Sequence, residues 1–194
     1  MVAAHAISLD RMVSAVEKVR ARLLKACGAL DQAGIRYAVV GGNAVAAWVS
    51  TIDEGAVRNT RDVDLLIDRK DLGEVRRVLE GAGFVYRHVG ALDVFLDDTD
   101  GSVRDAVHLV FAGELVREGE HAPNPGLDAL RDAGEFKILD LFALVQIKLT
   151  AFRDKDRTHI RDMIEVGLVD ASWVERLPPP LGARLQFLLD DPEG

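Results

Sequence analysis

Two carboxylates two residues apart, in Arg61-Asp62-Val63-Asp64-Leu65-Leu66-Ile67, are the part of this chain best suited to do chemistry. The apolar residues around them read as a β-strand, and in a strand residues two apart share a face. Asp62 and Asp64 then project together while Val63 and Leu65 turn to a core. Two carboxylates held side by side repel, and a cation between them removes the penalty. Oxygen ligands of this kind suit Mg²⁺ (or Mn²⁺), with water and substrate phosphates completing the coordination. Upstream, the apolar run Tyr37 to Val40 leads into Gly41-Gly42, followed by the short segment Asn43 to Ser50. Glycines after a strand let backbone N–H groups approach a ligand, and a helix start favours negative charge, so a phosphate fits opposite the metal. The spacing matches neither the P-loop nor the dinucleotide fingerprint.

Val40-Gly41-Gly42-Asn43-Ala44 followed by Arg58-Asn59-Thr60-Arg61-Asp62-Val63-Asp64-Leu65 resembles the signature of the nucleotidyltransferase superfamily, whose fold is that of the polymerase beta palm. It is similar to the AbiEii-type branch, known from bacterial abortive-infection and toxin-antitoxin systems. The resemblance implies metal-assisted transfer of a nucleotidyl group from a nucleoside triphosphate to an acceptor. Asp62 and Asp64 would hold the metals, and Gly41, Gly42 and Asn43 would cradle phosphates. A second stretch matches too: Lys148-Leu149-Thr150-Ala151-Phe152-Arg153-Asp154-Lys155-Asp156, then His159, Arg161 and Asp162. By resemblance, Lys148 contacts phosphate while Arg153, Lys155 and Asp156 help to shape the nucleotide pocket. An interhelical salt bridge between Lys148 and Asp162 is the plain alternative.

The chain departs from that pattern at the third carboxylate, which active relatives carry on a later strand. In the run AVHLVF the corresponding residue is His108, with Asp105 three residues earlier and Asp93 on the preceding strand. Alternation lets Asp93 face the same side as the pair. Three roles are open to His108: a metal ligand suited to Zn or Mn better than Mg, a base or hydrogen-bond partner, or a satisfied core histidine. Arg58 and Arg61 precede the Asp pair on a long polar loop. Their guanidinium forks match either triphosphate oxygens or carboxylates in surface salt bridges.

The elements that must position these residues follow from periodicity. With 194 residues, 48% hydrophobic and 29% charged, the chain is long enough for one domain with a substantial core, or a core plus a smaller lobe. The stripe Met12, Val16, Val19, Leu23, Cys27 and Leu30 predicts a helix over 9–33 ended by Gly34, with a strand from Ile35 to Val40. Lys70 to Gly83 predicts an amphipathic helix. Strands follow at 84–88, 93–96 and 103–111, giving a mixed sheet of about five. Gly113 to Pro125 reads as a loop or arm and marks a lobe boundary. Beyond it, helices are expected over 136–152 and 156–168, and a short one after Pro178-Pro179-Pro180. The fold class is α+β: a mixed-sheet nucleotidyltransferase core over 1–115 with a C-terminal helical lobe over 126–194 packed on it, or both as a single domain.

A net charge of −8 disfavours a broad nucleic-acid footprint, although a local basic groove would suffice for RNA. One cysteine, Cys27, excludes an intramolecular disulfide and a cysteine metal site. No stretch has the length of a membrane span, and the expectation is a cytoplasmic protein without a membrane partner. The expected partners are a nucleoside triphosphate, an acceptor such as tRNA or protein, and an antitoxin. The competing reading is an NTP-binding regulatory module of the same fold with little or no turnover.

Overall fold

The computed structural model describes residues 8–116 and 119–191. Helix α1 (Leu9–Gln32) ends at Ala33, and Gly34 follows at φ 68°, as the sequence predicts. Leu23, Cys27 and Leu30 of the predicted stripe are buried, but Met12 and Val16 are exposed. Val16 faces an open cleft, while Val19 packs against the main core.

Strand β1 (Tyr37–Val40) runs straight into α2 (Gly41–Ser50). Gly41 itself begins the helix at φ 69°, with Val40 in the capping position. A loop leads to β2 (Val63–Ile67), a short 3₁₀ turn and α3 (Leu72–Gly81). The hairpin β3 (Val85–Val89) and β4 (Leu92–Leu96) precedes β5 (Val107–Phe111). Residues 103–105, expected in that strand, form a 3₁₀ turn.

The sheet has seven strands rather than five, in the order β3-β4-β5-β2-β1-β7-β6. The additional pair is β6 (Leu130–Asp132) and β7 (Lys137–Leu139), with β7 parallel to β1. Helix α4 (Leu141–Ala151) accordingly starts five residues later than predicted, at the Asp140 cap, whose carboxylate accepts from Ala143 N–H. Helix α5 (Asp154–Glu165) follows after Phe152, which adopts a left-handed φ of 47°, and α6 (Pro179–Asp190) completes the described chain. Arg117 and Glu118 of the predicted arm lie outside the described residues.

The strands sort their side chains by alternation. Tyr37, Val39, Leu65, Ile67, Val107 and Leu109 enter the main core with residues of every helix, while Ala38, Val40, Leu66 and Leu139 form a smaller cluster on the opposite face. Each fully buried aliphatic side chain contributes roughly 2 kcal/mol of transfer free energy. A slip of β2 by one residue would drive Asp64 into the main core, so burial fixes the register. Where Asp64 points is thus a consequence of where Leu65 must go.

Candidate active site

β2 pairs antiparallel with β1 and parallel with β5, and these two pairings set Val40 and His108 opposite Asp64. Asp64 and His108 consequently share a face, with His108 Nδ1 3.6 Å from Asp64 Oδ1. Asp62, immediately before β2, joins them: one ligand atom from each of Asp62, Asp64 and His108 lies within 4.8 Å of the others. Asp93 does not join. In the β4–β5 register Val94 is opposite His108, so Asp93 turns to the other face, where it accepts from Tyr86 Oη at 2.6 Å and contacts His88 Nδ1 at 2.8 Å. Asp105 is occupied as well, by Arg61 at 3.0 Å.

Each member of the trio is held by a specific contact. Thr60 Oγ1 donates to Asp62 Oδ1 at 2.7 Å, and Asn43 Nδ2 donates to the Asp62 carbonyl at 2.8 Å. Asn43 thus anchors α2 to the carboxylate strand. His108 Nε2 lies 2.7 Å from the Val103 carbonyl, an acceptor only, so Nε2 carries the proton. In the neutral ring Nδ1 is then the lone pair, on the side of the two carboxylates. Asp64 lies over the first residue of α2 so closely that a Cβ on Gly41 would stand 1.9 Å from its Oδ2. Glycine at 41 is required both by φ 69° and by this approach.

The charges around the trio are uneven. Burial pushes Asp64 up, and the neighbouring Asp62 charge adds to this against the pull of Lys148, His108 and Lys155. At Asp62 burial acts the same way but is outweighed by the Thr60 hydroxyl and by Lys155, whose Nζ stands 3.8 Å from Oδ2, so this carboxyl is held below its ordinary value. A divalent cation fits this donor set: two carboxylate oxygens and one imidazole nitrogen converge, and the carboxylates carry more negative charge than Lys155 balances.

Behind the trio, Lys148 of α4 is buried and paired with Asp156 of α5 at 3.2 Å, and Arg153 Nε donates to the same carboxylate at 2.7 Å. Burial alone would raise Asp156, but these two cations hold it down; Lys148 is pulled below its ordinary value by desolvation. The alternative of an interhelical salt bridge is met with a different partner, Asp156 in place of Asp162. Asp162 instead accepts from Arg58 Nε at 2.8 Å, tying the loop before β2 to α5. Arg58 and Arg61 are therefore both engaged with carboxylates, and neither guanidinium is free beside the start of α2.

Sequence reasoning gave no role to Thr60 or His159. Thr60 carried a signal, its position two residues before Asp62 on the same face. His159 carried none, because its surroundings come from four separate residues. Its Nδ1 is buried without a hydrogen-bond partner among the described residues, and desolvation, aided by Lys148 and Lys155, pushes its pKa down to about 4.

Against α1 opens a cleft of about 960 Å³ lined by α1 residues and by Thr60, Arg61, Asp97, Asp98, Ser102 and Asp105; none of Asp62, Asp64 and His108 lines it. Two of its charges cancel internally, Arg22 against Asp97 at 2.6 Å and Arg61 against Asp105. No helix among the described residues is long and apolar enough to cross a membrane.

No protein-family model matches the chain, and no curated protein does. Solved structures do resemble it. The antibiotic-resistance factor ANT(2'')-Ia, in complex with adenylyl-2''-tobramycin, aligns at TM-score 0.53 and 16% identity over 92% of this chain and 99% of its own. The solution structure of ANT(2'')-Ia aligns at 0.50 and 13% over 93% and 92%. An antigenic nucleotidyltransferase-like protein from Paracoccidioides brasiliensis aligns at 0.54 and 15% over 92% and 91%. With its mixed seven-stranded sheet and packed helices, the chain has the nucleotidyltransferase fold.

Proposed function

We propose that the protein transfers a nucleotidyl group from a nucleoside triphosphate to an acceptor hydroxyl. The observation that carries this is the convergence of Asp62, Asp64 and His108 within 4.8 Å, against the glycine start of α2. Asp62 and Asp64 would hold Mg²⁺ or Mn²⁺, which, when bound, supplies charge neutralisation at the triphosphate and acidifies the attacking hydroxyl. The backbone N–H groups of Gly41 and Gly42, unpaired within the helix, point toward the phosphates with the helix dipole behind them. Lys155, half exposed and 3.8 Å from Asp62, is a cation within reach of phosphate oxygens at the Asp pair. Lys148, Arg153 and Asp156 fix the angle at which α5 presents Lys155, and Asn43 and Thr60 fix Asp62. Displacement at the α-phosphate by the acceptor hydroxyl then releases pyrophosphate.

The acceptor class rests on two likenesses. The AbiEii-type pattern of Gly41-Gly42-Asn43, Asp62-Val63-Asp64 and Lys148 through Asp156 supports a toxin-like enzyme acting on tRNA or protein and held in check by an antitoxin. ANT(2'')-Ia, solved with adenylyl-2''-tobramycin, supports a small-molecule acceptor.

A regulatory module that binds NTP without useful turnover is favoured by one observation, His108 on β5 beside Asp64 where a third carboxylate is expected. Calorimetric titration of the four NTPs with Mg²⁺ or Mn²⁺, in wild type and in Asp62→Ala plus Asp64→Ala, tests both readings. Metal-dependent binding lost in the double variant supports the site. Label transferred from that NTP to tRNA, protein or tobramycin then identifies an enzyme and its acceptor; binding without transfer leaves the module. Absence of any NTP binding overturns the proposal.

A further inference from the structure

We propose that His108 is a direct metal ligand through Nδ1 and makes the centre select a first-row transition dication, Mn²⁺ here, over Mg²⁺. This rests on the reading of Asp62, Asp64 and His108 as the metal centre.

Three observations carry it. First, the parallel β2–β5 register puts His108 directly opposite Asp64, with Nδ1 3.6 Å from Asp64 Oδ1, within a few tenths of an ångström of the spacing of two ligands of one ion. Second, the far nitrogen is committed: Nε2 donates to the Val103 carbonyl at 2.7 Å, which fixes the tautomer and leaves the lone pair on Nδ1. A ligating histidine is ordinarily oriented by such a second hydrogen bond, whereas a core histidine with no ligand role does not need its other nitrogen aimed at two carboxylates. Third, the remaining acids that could complete an all-oxygen site are spent elsewhere. Asp93 lies on the opposite face with Tyr86 and His88, and Asp105 is bonded to Arg61.

The consequence is chemical. Mg²⁺ binds hard oxygen donors, keeps its water and has little affinity for imidazole. Mn²⁺ accepts carboxylate and imidazole together, so exchanging an acidic ligand for His108 weakens the centre for Mg²⁺ far more than for Mn²⁺. The structure also gives the reverse substitution a place to act, since His108→Asp puts a third carboxylate on the strand next to Asp64.

The test uses the full-length protein without nucleotide. Mn²⁺ and Mg²⁺ are titrated calorimetrically into wild type, His108→Asp and His108→Asn, and the Mn²⁺ complex of the wild type is examined by pulsed electron paramagnetic resonance. Expected are a Mn²⁺ affinity exceeding that for Mg²⁺, and a ratio that shrinks by at least about tenfold in His108→Asp. Nitrogen-14 modulation from a bound imidazole is expected in wild type and is lost in both variants. Because the resonance readout needs only the wild-type protein, a variant that folds poorly does not shelter the claim. Mn²⁺ bound without nitrogen coupling, at an unchanged ratio in His108→Asp, overturns this inference and leaves the metal centre standing on Asp62 and Asp64. Binding of neither metal, with or without an NTP, overturns the function proposed above as well.

Discussion

A single methyl group at position 41 would be enough to dismantle the site. The Cβ of Gly41→Ala would stand 1.9 Å from Asp64 Oδ2, and the residue would have to keep φ 69°, which costs roughly 1–2 kcal/mol for any side chain. Either Asp64 or the start of α2 must move. Metal-dependent NTP binding should fall by more than about tenfold, which is about 1.4 kcal/mol. Calorimetry read beside a thermal melt checks this: wild-type affinity in a folded Gly41→Ala protein would contradict the assignment. Gly42→Ala meets Thr60 at 2.9 Å and should act more mildly, by loosening the hydroxyl on Asp62. At this scale the sequence was informative where one strand does the positioning. Alternation alone placed Asp62 beside Asp64, because both belong to β2 and its approach. It could not place Asp93, whose face depends on how β4 registers against β5, nor find the partner of Arg58, which lies on α5, 104 residues away.

The α4–α5 hinge shows how an element holds a charge that the core alone would reject. Asp156 has two cationic partners, Lys148 and Arg153, whereas Lys148 has Asp156 at 3.2 Å and only the more distant field of Asp64. The two truncations should therefore differ. Lys148→Met leaves Asp156 bonded to Arg153 and should cost about 1–2 kcal/mol, the price of one buried hydrogen bond. Asp156→Ala strands a lysine that is 3% exposed and should cost about 3–5 kcal/mol, as does removing one partner of a buried ion pair. Urea unfolding of both variants decides it, and equal losses would mean that Lys148 is neutral in the folded protein. The same region limits what periodicity could reveal. Lys137–Leu139 is a three-residue strand set directly before Asp140, and its Ile138 and Leu139 extend the apolar pattern of α4. Only pairing with β1 distinguishes strand from helix there, and that pairing is long-range. Helices α1 and α3, which bury a stripe along one continuous segment, were legible nearly to their ends.

At the scale of the whole molecule, the helical segment after β7 closes over the Asp pair and leaves one titratable group with a measurable effect on folding. His159 has Lys148, Lys155, Asp156 and Asp62 around it, and desolvation leads the balance that brings its pKa to about 4 from an ordinary 6.5. Nδ1 finds no partner, so protonation inside the fold meets two lysines and no new hydrogen bond. The sign follows from proton linkage: between these values the unfolded chain binds the proton and the folded chain does not, so acid favours unfolding. The contribution is complete above pH 6.5, declines as the pH falls toward about 4, and changes no further below that. A shift of this size amounts to about 3 kcal/mol across the window. The neighbouring carboxylates titrate too, and Asp64, being raised, opposes the trend, so total stability alone does not isolate the effect. The difference between wild type and His159→Gln does. Glutamine keeps a polar side chain and cannot titrate, so urea midpoints measured from pH 7.5 to 4.5 should fall more steeply for wild type than for His159→Gln, the two curves converging toward the acid end. Parallel curves would show that His159 is protonated as readily in the fold as outside it, and that α5 does not bury it against the lysines as the structure places it.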